Sequence, residues 1–313
     1  MTYMKKKIPF LIILAAGILS LSCKKEEETV TVPSISGVSM SDAVPFVRPG
    51  SSQSFTADLS NIYTSDKTDP GTLGVYWQIG SEAKDTTTRD ASKSNPEKTV
   101  TITETGTYTV TCGVFAVKGG YYAGTSSATF QVIDPDSALT GLSDNTEVTI
   151  NGTVWQARNL YGTESGRDYR DCEVVSALFG RYYTWTEAQT ACPEGWHLPT
   201  AAEFDASLGD KACPLMAEAS FMNVRMWNYW PNMQISNQLQ FNAIPTGYID
   251  LSTVQGVYGY KEYAAWWTAD EIADPYQKEG LGIFRYIYES KETIQKGQGS
   301  KESLALNVRC IKD

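Results

Sequence analysis

Residues 107–112, Thr-Tyr-Thr-Val-Thr-Cys, alternate without a break: threonines fall on one side, and Tyr108, Val110 and Cys112 on the other. Only an extended strand, with its two-residue repeat, sorts such a run into one polar and one apolar face. The segment therefore reads as a half-buried antiparallel strand, entered through a turn at Thr105-Gly106. Similar short runs at 52–59, 75–79, 99–103, 107–117 and 128–133 are separated by turn residues, with no helical period between 32 and 134. The pattern predicts a β-sandwich over 32–134, with Trp77 in mid-strand as a core aromatic. Cys112 has no second cysteine in this region and reads as a small buried hydrophobe. Asp134-Pro135-Asp136-Ser137 marks a linker, placed at 135–141.

From 142 to 313 the character changes to a domain rich in tryptophan and tyrosine, with glycine-containing loops. Val148-Thr149-Ile150, then Asn151-Gly152, then Thr153-Val154-Trp155 is a hairpin signal, because Asn-Gly suits a two-residue turn. A helix is predicted over 185–192, capped by Thr184 with Glu187 three residues later; Trp185, Ala188, Gln189 and Cys192 share a face and Pro193 ends it. A second is predicted over 200–208, where Thr200 and Glu203 form a capping box.

The N-terminus sets the compartment. Lys5, Lys6 and Lys7 precede an apolar stretch at 8–21 that is too short to cross a hydrocarbon core, which needs about 20 apolar residues. A basic start, a short apolar run and small residues at its end make a secretory signal, assigned to 1–22. Leu19-Ser20-Leu21-Ser22-Cys23 resembles a relaxed lipobox, which implies that Cys23 is acylated after cleavage. Lys24-Lys25-Glu26-Glu27-Glu28 cannot bury itself and acts as a tether over 23–31. It also resembles the surface-export signal of Bacteroidota lipoproteins, which implies an outer-membrane lipid anchor facing the cell exterior. The net charge of −10 excludes a nucleic-acid partner, since phosphate binding needs a basic face. Outside the cytosol, cysteine pairs persist as disulfides.

Three blocks carry a family resemblance. Asn151-Gly152-Thr153-Val154-Trp155-Gln156-Ala157-Arg158-Asn159-Leu160 comes first. Gly180-Arg181-Tyr182-Tyr183-Thr184-Trp185, Ala188 and Ala191-Cys192-Pro193-Glu194-Gly195-Trp196-His197-Leu198-Pro199-Thr200 follow. Phe241-Asn242-Ala243-Ile244-Pro245-Thr246-Gly247-Tyr248, Trp266-Trp267-Thr268 and Val308-Arg309-Cys310-Ile311-Lys312-Asp313 complete the set. In this order they resemble the Fibrobacter major paralogous (FISUMP) domain, a recurring module of bacterial surface and secreted lipoproteins, here at 142–313. The layout is similar to the α+β C-type-lectin-like fold, which implies a Cys192–Cys310 disulfide and leaves Cys172 and Cys213 to bond to each other. Spacing alone allows three connectivities for four cysteines. In the first region, Gly106-Thr107-Tyr108-Thr109-Val110 resembles a strand of immunoglobulin-like domains of the polycystic-kidney-disease (PKD) type, although the tryptophan–aspartate-rich motif usual there is absent.

Chemistry is sparse. His197 is the only histidine, so no multi-histidine metal site is available, and it reads as a structural hydrogen-bonded residue. Calcium-dependent lectins use a Glu-Pro-Asn or Gln-Pro-Asp tripeptide; Trp230-Pro231-Asn232 lacks its first ligand, and 267–270 offers a poor second set. Asp250, Asp270 and Glu271 remain as candidates for an acidic pocket. Leu198-Pro199-Thr200-Ala201-Ala202-Glu203 resembles a segment of formylglycine-generating and sulfatase-modifying enzymes, but their chemistry needs free active-site cysteines. No catalytic residue, metal or cofactor is therefore expected, and the chain reads as a nonenzyme. Trp227, Tyr229, Trp230, Tyr258, Tyr260, Tyr263, Trp266 and Trp267 remain as aromatic candidates. Trp266 and Trp267 read as core. Trp227, Tyr229, Trp230 and Asn232, in a loop outside the family blocks, are the candidate ligand-binding surface, since exposed rings stack on sugars and anchor protein contacts. The expected function is adhesion: binding of a glycan or a surface protein, with a structural component of a surface complex as the alternative.

Overall fold

The computed structural model of the chain describes residues 31–88, 95–162, 165–253, 256–273, 276 and 280–313. The predicted signal, Cys23 and the charge run at 24–28 lie outside the described residues.

The N-terminal region is built from strands, as the alternation requires. One sheet orders Phe46–Val47, Gly124–Val132, Gly106–Ala116, Leu73–Ile79 and Asp85–Thr88; a second orders Ser39–Met40, Ser52–Asp58 and Glu97–Thr101. Phe55, Val75, Trp77, Val110, Cys112, Val114 and Phe130 pack into one core. Burial pushes the Cys112 thiol up to about 11, so it stays a neutral packing group. On the opposite face of strand Gly106–Ala116 the threonines do what the pattern implies: Thr109 and Thr111 meet Thr129 and Ser127 across the sheet, hydroxyl to hydroxyl, at 2.9 and 2.8 Å.

The stretch expected to be a linker holds a short helix, Pro135–Ala138, capped by the Asp134 side chain, followed by strand Leu139–Thr140. Ile133 and Ala138 are buried in the same core as Val175, Phe179 and Phe221, and Phe46 packs against it from the first sheet, 5.6 Å from the Phe221 ring. Arg48 adds a forked contact to Glu173 at 3.2 Å. The two regions therefore share apolar surface rather than hang on a free hinge.

In the second region, Glu147–Ile150 and Thr153–Gln156 form the expected hairpin, with Asn151 and Gly152 at φ 48° and 87°. The last strand, Ile311–Lys312, lies between that hairpin and Trp196–His197. Three further sheets follow: Leu139–Thr140, Ser220–Phe221 and Val224–Arg225 in one, Tyr183–Thr184, Leu304–Leu306, Tyr248–Asp250 and Val257–Tyr258 in the next, and Tyr263–Ile272, Leu281–Tyr288 and Gln295–Ser300 in the last. Both predicted capping boxes form, at Thr184/Glu187 and Thr200/Glu203, each worth about 1 kcal/mol to its helix start. The second helix, Ala201–Leu208, matches expectation, whereas the first stops at Ala188 instead of running to Cys192. A third helix, Glu173–Phe179, was not anticipated; it buries Val174, Val175, Ser176 and Phe179 and stops at Gly180.

The disulfide Cys192–Cys310 is present and closes a loop of 118 residues, worth about 4–5 kcal/mol in the chain-entropy picture. The expected Cys172–Cys213 bond is not: both thiols are free. Cys172 starts the unanticipated helix inside one core, while Cys213 lies at the margin of another.

Those two cores meet at Arg309, which is fully buried. Its guanidinium lies 4.1 Å from the Phe241 ring centre and 5.7 Å from that of Trp266. It donates to the Phe241 carbonyl, and to Asn159 Oδ1 at 2.6 Å. Asn159 Oδ1 also accepts from Trp266 Nε1 at 2.8 Å, and its amide donates to the Phe179 carbonyl at 2.8 Å. Burial pushes the Arg309 guanidinium down to about 9, so the charge is held by ring faces and neutral acceptors instead of a carboxylate. Truncation removes a large side chain, orphans the Phe241 carbonyl and takes one of two donors from Asn159 Oδ1. Arg309→Ala is expected to cost at least about 3 kcal/mol, seen as a lower urea midpoint, and Arg309→Lys will not restore it because an ammonium lacks the planar fork.

Candidate functional site

The aromatic loop does not converge on one surface. Trp227 is 1% exposed and sits in the core with Trp155, Phe204 and Phe241, donating Nε1 to the Ala243 carbonyl at 3.3 Å. As a surface binding residue it is a correction: an indole of that size is taken up by the core the loop closes. Tyr229 and Trp230 point outward, 72% and 40% exposed, with the Arg225 guanidinium over the Tyr229 ring at 5.6 Å. Asn232 instead lines a polar hollow with Asp210, Lys211, Gln234 and Glu292. Asn228 ties the loop down through Glu289 Oε2 at 2.5 Å.

The other candidates are engaged one by one. Asp250 accepts from Ser252, Asp270 from the Ala201 amide, and Glu271 pairs with Lys301. Among the described residues no group of three or more His, Cys, Asp or Glu is placed to hold a metal. His197 lies between Asp313 Oδ1, 2.6 Å from Nδ1, and Glu203 Oε1, 3.5 Å from Nε2, pinning strand Trp196–His197 to the chain end. Both ring nitrogens are hydrogen-bonded, in line with its reading as a structural hydrogen-bonded residue.

A different feature stands out. A cleft with a volume of ≈ 340 Å³ opens between the two long sheets, walled by Tyr248, Tyr263, Phe284 and Tyr286, with Leu304 and Leu306 on the opposing side. Its origin is local sequence. In Phe284-Arg285-Tyr286-Ile287-Tyr288 the rings alternate with residues of the opposite face, and Ala265 pairs with Tyr286 while Gly297 pairs with Phe284. The small partners let the neighbouring side chains lie flat against the sheet. A Cβ at Gly297 would stand 2.3 Å from the Phe284 ring, and one at Gly299 would stand 2.4 Å from Leu304. The rings support each other: Tyr263 is 5.9 Å from Tyr248, 5.8 Å from Tyr286 and 4.8 Å from Tyr288.

The cleft aromatics differ from the structural ones in their polar atoms. Trp155, Trp185, Trp266 and Trp267 each donate Nε1 to a protein acceptor, and the Tyr182 hydroxyl bonds Thr246 O at 2.6 Å. Among the described residues, by contrast, the hydroxyls of Tyr248, Tyr263 and Tyr286 and the Gln298 amide make no side-chain hydrogen bond within the protein. Burial, then the neighbouring Asp250 and tyrosines, raise the Tyr248 hydroxyl above its ordinary range; burial and the facing tyrosines do the same for Tyr263. Both remain neutral donors. Lys296, the charged residue of the lining, gives its ammonium to Asp205 at 2.9 Å, where Arg285 also binds. The cleft thus offers ring faces beside free hydroxyl and amide groups and no free carboxylate, thiol or imidazole.

Sequence reasoning named Tyr263 among the aromatics but assigned it no role, and it missed Tyr286 and Gln298. The signal that could have found them is the period-two run of rings at 284–288 opposite the glycine-interrupted strand Gln295–Ser300.

The model of the Fibrobacter succinogenes major domain matches residues 148–312, over half of the chain. The chain belongs to this family. No curated protein matches it in sequence. Among solved structures it overlaps the Yersinia pseudotuberculosis adhesin InvE at 12% identity, over 89% of this chain and 70% of that one. The TM-score is 0.25, too low to carry any argument about fold or function. The family blocks fall on Asn159, Trp266 and Arg309, the buried cluster, and only Tyr248 of the cleft belongs to them.

The loop residues separate by stability. Trp227→Ala is expected to cost about 3–5 kcal/mol, whereas Trp230→Ala stays within about 1 kcal/mol, both read from urea unfolding followed by fluorescence.

Proposed function

We propose that this family member is a cell-surface lipoprotein whose C-terminal head is a noncatalytic, lectin-like binding module, and that the tyrosine cleft is its ligand site. The observation that carries this reading is the set of unpaired hydroxyls beside half-buried ring faces that line the cleft. Sugars present an apolar face that stacks on aromatic rings and a rim of hydroxyls that exchange hydrogen bonds; a cleft of neutral donors and rings matches both. A neutral glycan is the ligand class this lining favours. The lectin-like layout is supported by the capped helices and by the disulfide joining 192 to the last strand.

The lipid anchor rests on the Lys-rich, apolar leader ending at Cys23 and on the surface and secreted setting of the family. Export to the outer face rests on the charge run that follows. Cys23→Ser is expected to move the protein from the membrane fraction to the soluble fraction and to abolish labelling by a fatty-acid analogue; a membrane-bound, unlabelled variant would overturn the anchor.

Glycan-array binding by residues 24–313 tests the cleft. Tyr263→Ala and Tyr286→Ala should each weaken binding about tenfold, the equivalent of ~1.4 kcal/mol, while Trp230→Ala leaves it unchanged. Because the Tyr248 and Tyr263 hydroxyls are raised above their ordinary range, affinity should be flat from neutral pH up to about 9. No glycan bound, or equal binding by the tyrosine variants, counts against the proposal.

A second reading, a structural part of a surface complex, is favoured by the exposed Tyr229, Trp230 and Val224, which suit a protein contact. It would show itself as loss of association in Trp230→Ala with glycan binding intact.

A further inference from the structure

The end of the N-terminal sandwich farthest from the head exposes apolar side chains that the binding reading does not use. Tyr63 and Tyr122 are 62% and 65% exposed, and Val117 and Val32 are 46% and 42% exposed. They cluster around the incoming chain. Ser36 pairs with Tyr63 on one side, and Ser34 bridges to Tyr122 on the other. The Tyr121 hydroxyl joins the two flanking loops through Thr68 Oγ1 at 2.6 Å.

The charges at this end are sorted. Asp66 turns to the Thr68 amide and hydroxyl, and Asp69 to the Gly71 amide. Lys67 and Lys118 have no ion-pair partner among the described residues. The face therefore shows tyrosine rings beside two ammonium groups and the exposed carboxylates of Asp66 and Asp69, and it is the rings that suit the boundary between lipid headgroups and water.

Strand Gly124–Val132 starts two residues after Tyr122 and ends beside Val47, where the head docks. Its length puts the head roughly 30 Å away from the tyrosine end. Between Cys23 and Thr31 there are eight Cα steps, a reach of at most about 29 Å even when fully extended.

We propose that this tyrosine end is a membrane-docking face, resting on the leaflet that holds the lipid on Cys23. The inference rests on the anchor proposed above. The short tether confines the face near the bilayer, so weak interfacial contacts act at high effective concentration. The contact stands the sandwich upright and carries the cleft outward.

The test is hydrogen exchange on the acylated full chain, its lipid confirmed by intact mass, in vesicles of phosphatidylethanolamine and phosphatidylglycerol. The unacylated chain in solution is the reference. Docking predicts roughly tenfold slower exchange across residues 62–71 and 117–123, lost in Tyr63→Ser/Tyr122→Ser while head exchange is unchanged. Equal exchange in vesicles and in solution overturns the proposal and leaves the anchor standing. Protection that grows with protein density in the vesicle would assign the face to a second copy and also overturns it. A chain without acyl mass overturns anchor and docking together.

Discussion

A buried cation with no carboxylate partner organises the head. Arg309 brings a full charge into a site without a carboxylate, an arrangement that would be costly in an apolar core. It is held because Phe241 and Trp266 turn ring faces toward it while Asn159 and the Phe241 carbonyl accept from its two terminal nitrogens, leaving only Nε without a partner. Asn159 is then committed three ways, to Arg309, to Trp266 and to the Phe179 carbonyl. One residue near the domain's start, one strand in its middle and one residue near its end are locked together. Cys310, next in sequence, adds the covalent link to Cys192, and Gly180 packs so closely on Asn159 that a Cβ there would lie 2.4 Å from its side chain. The family blocks are thus legible as the parts of one packing unit.

That explains why the motif and the candidate site are different residues. A recurring module must keep the contacts that make it fold, and those are Asn159, Trp266 and Arg309. The cleft sits on the other face of the same sheet, where half-buried Tyr263, Phe284 and Tyr286 edge a second core that holds Ala265, Trp267 and Leu306. Changing them alters what the head presents without touching the cluster behind. Strand alternation separates the two roles by one residue, as in Ala265 beside Trp266 and Tyr286 beside Arg285.

Legibility from sequence followed the range of the interactions. The sandwich strands, the Asn-Gly hairpin and both capping boxes depend on residues within four positions of each other, and they are where the pattern put them. The Cys192–Cys310 pair came from a resemblance, because nothing local brings residues 118 apart together. The same resemblance left Cys172 and Cys213 as a remainder, and pairing by remainder failed: Cys172 heads helix Glu173–Phe179, whose apolar residues at 174, 175 and 179 were the overlooked signal. Trp227 failed for a related reason. An aromatic-rich loop looks the same in sequence whether a ring points out or fills a cavity, and Trp155, Phe204 and Phe241, each distant in sequence, decide it. The cleft was invisible because its shape depends on which side chains lie flat against Gly297 and Gly299, and those come from other strands.

The shared core between the two regions bears on how the cleft is presented. Phe46 and Ile133 from the sandwich pack with Phe179 and Phe221 of the head, and Arg48 meets Glu173, whose other contact is the Tyr161 hydroxyl at 2.5 Å. The Glu173 carboxylate is held below its ordinary range, first by Arg48 and then by Tyr161. Exposed ion pairs of this kind contribute little energy, so the apolar contact does the holding and the charges set orientation. A head fixed to its support in this way moves with it, and any force or tilt at the sandwich is passed to the cleft. A flexible linker would instead let the head sample its surroundings at the cost of losing a defined outward direction. By burying Ile133 and Ala138, the connection trades search volume for orientation.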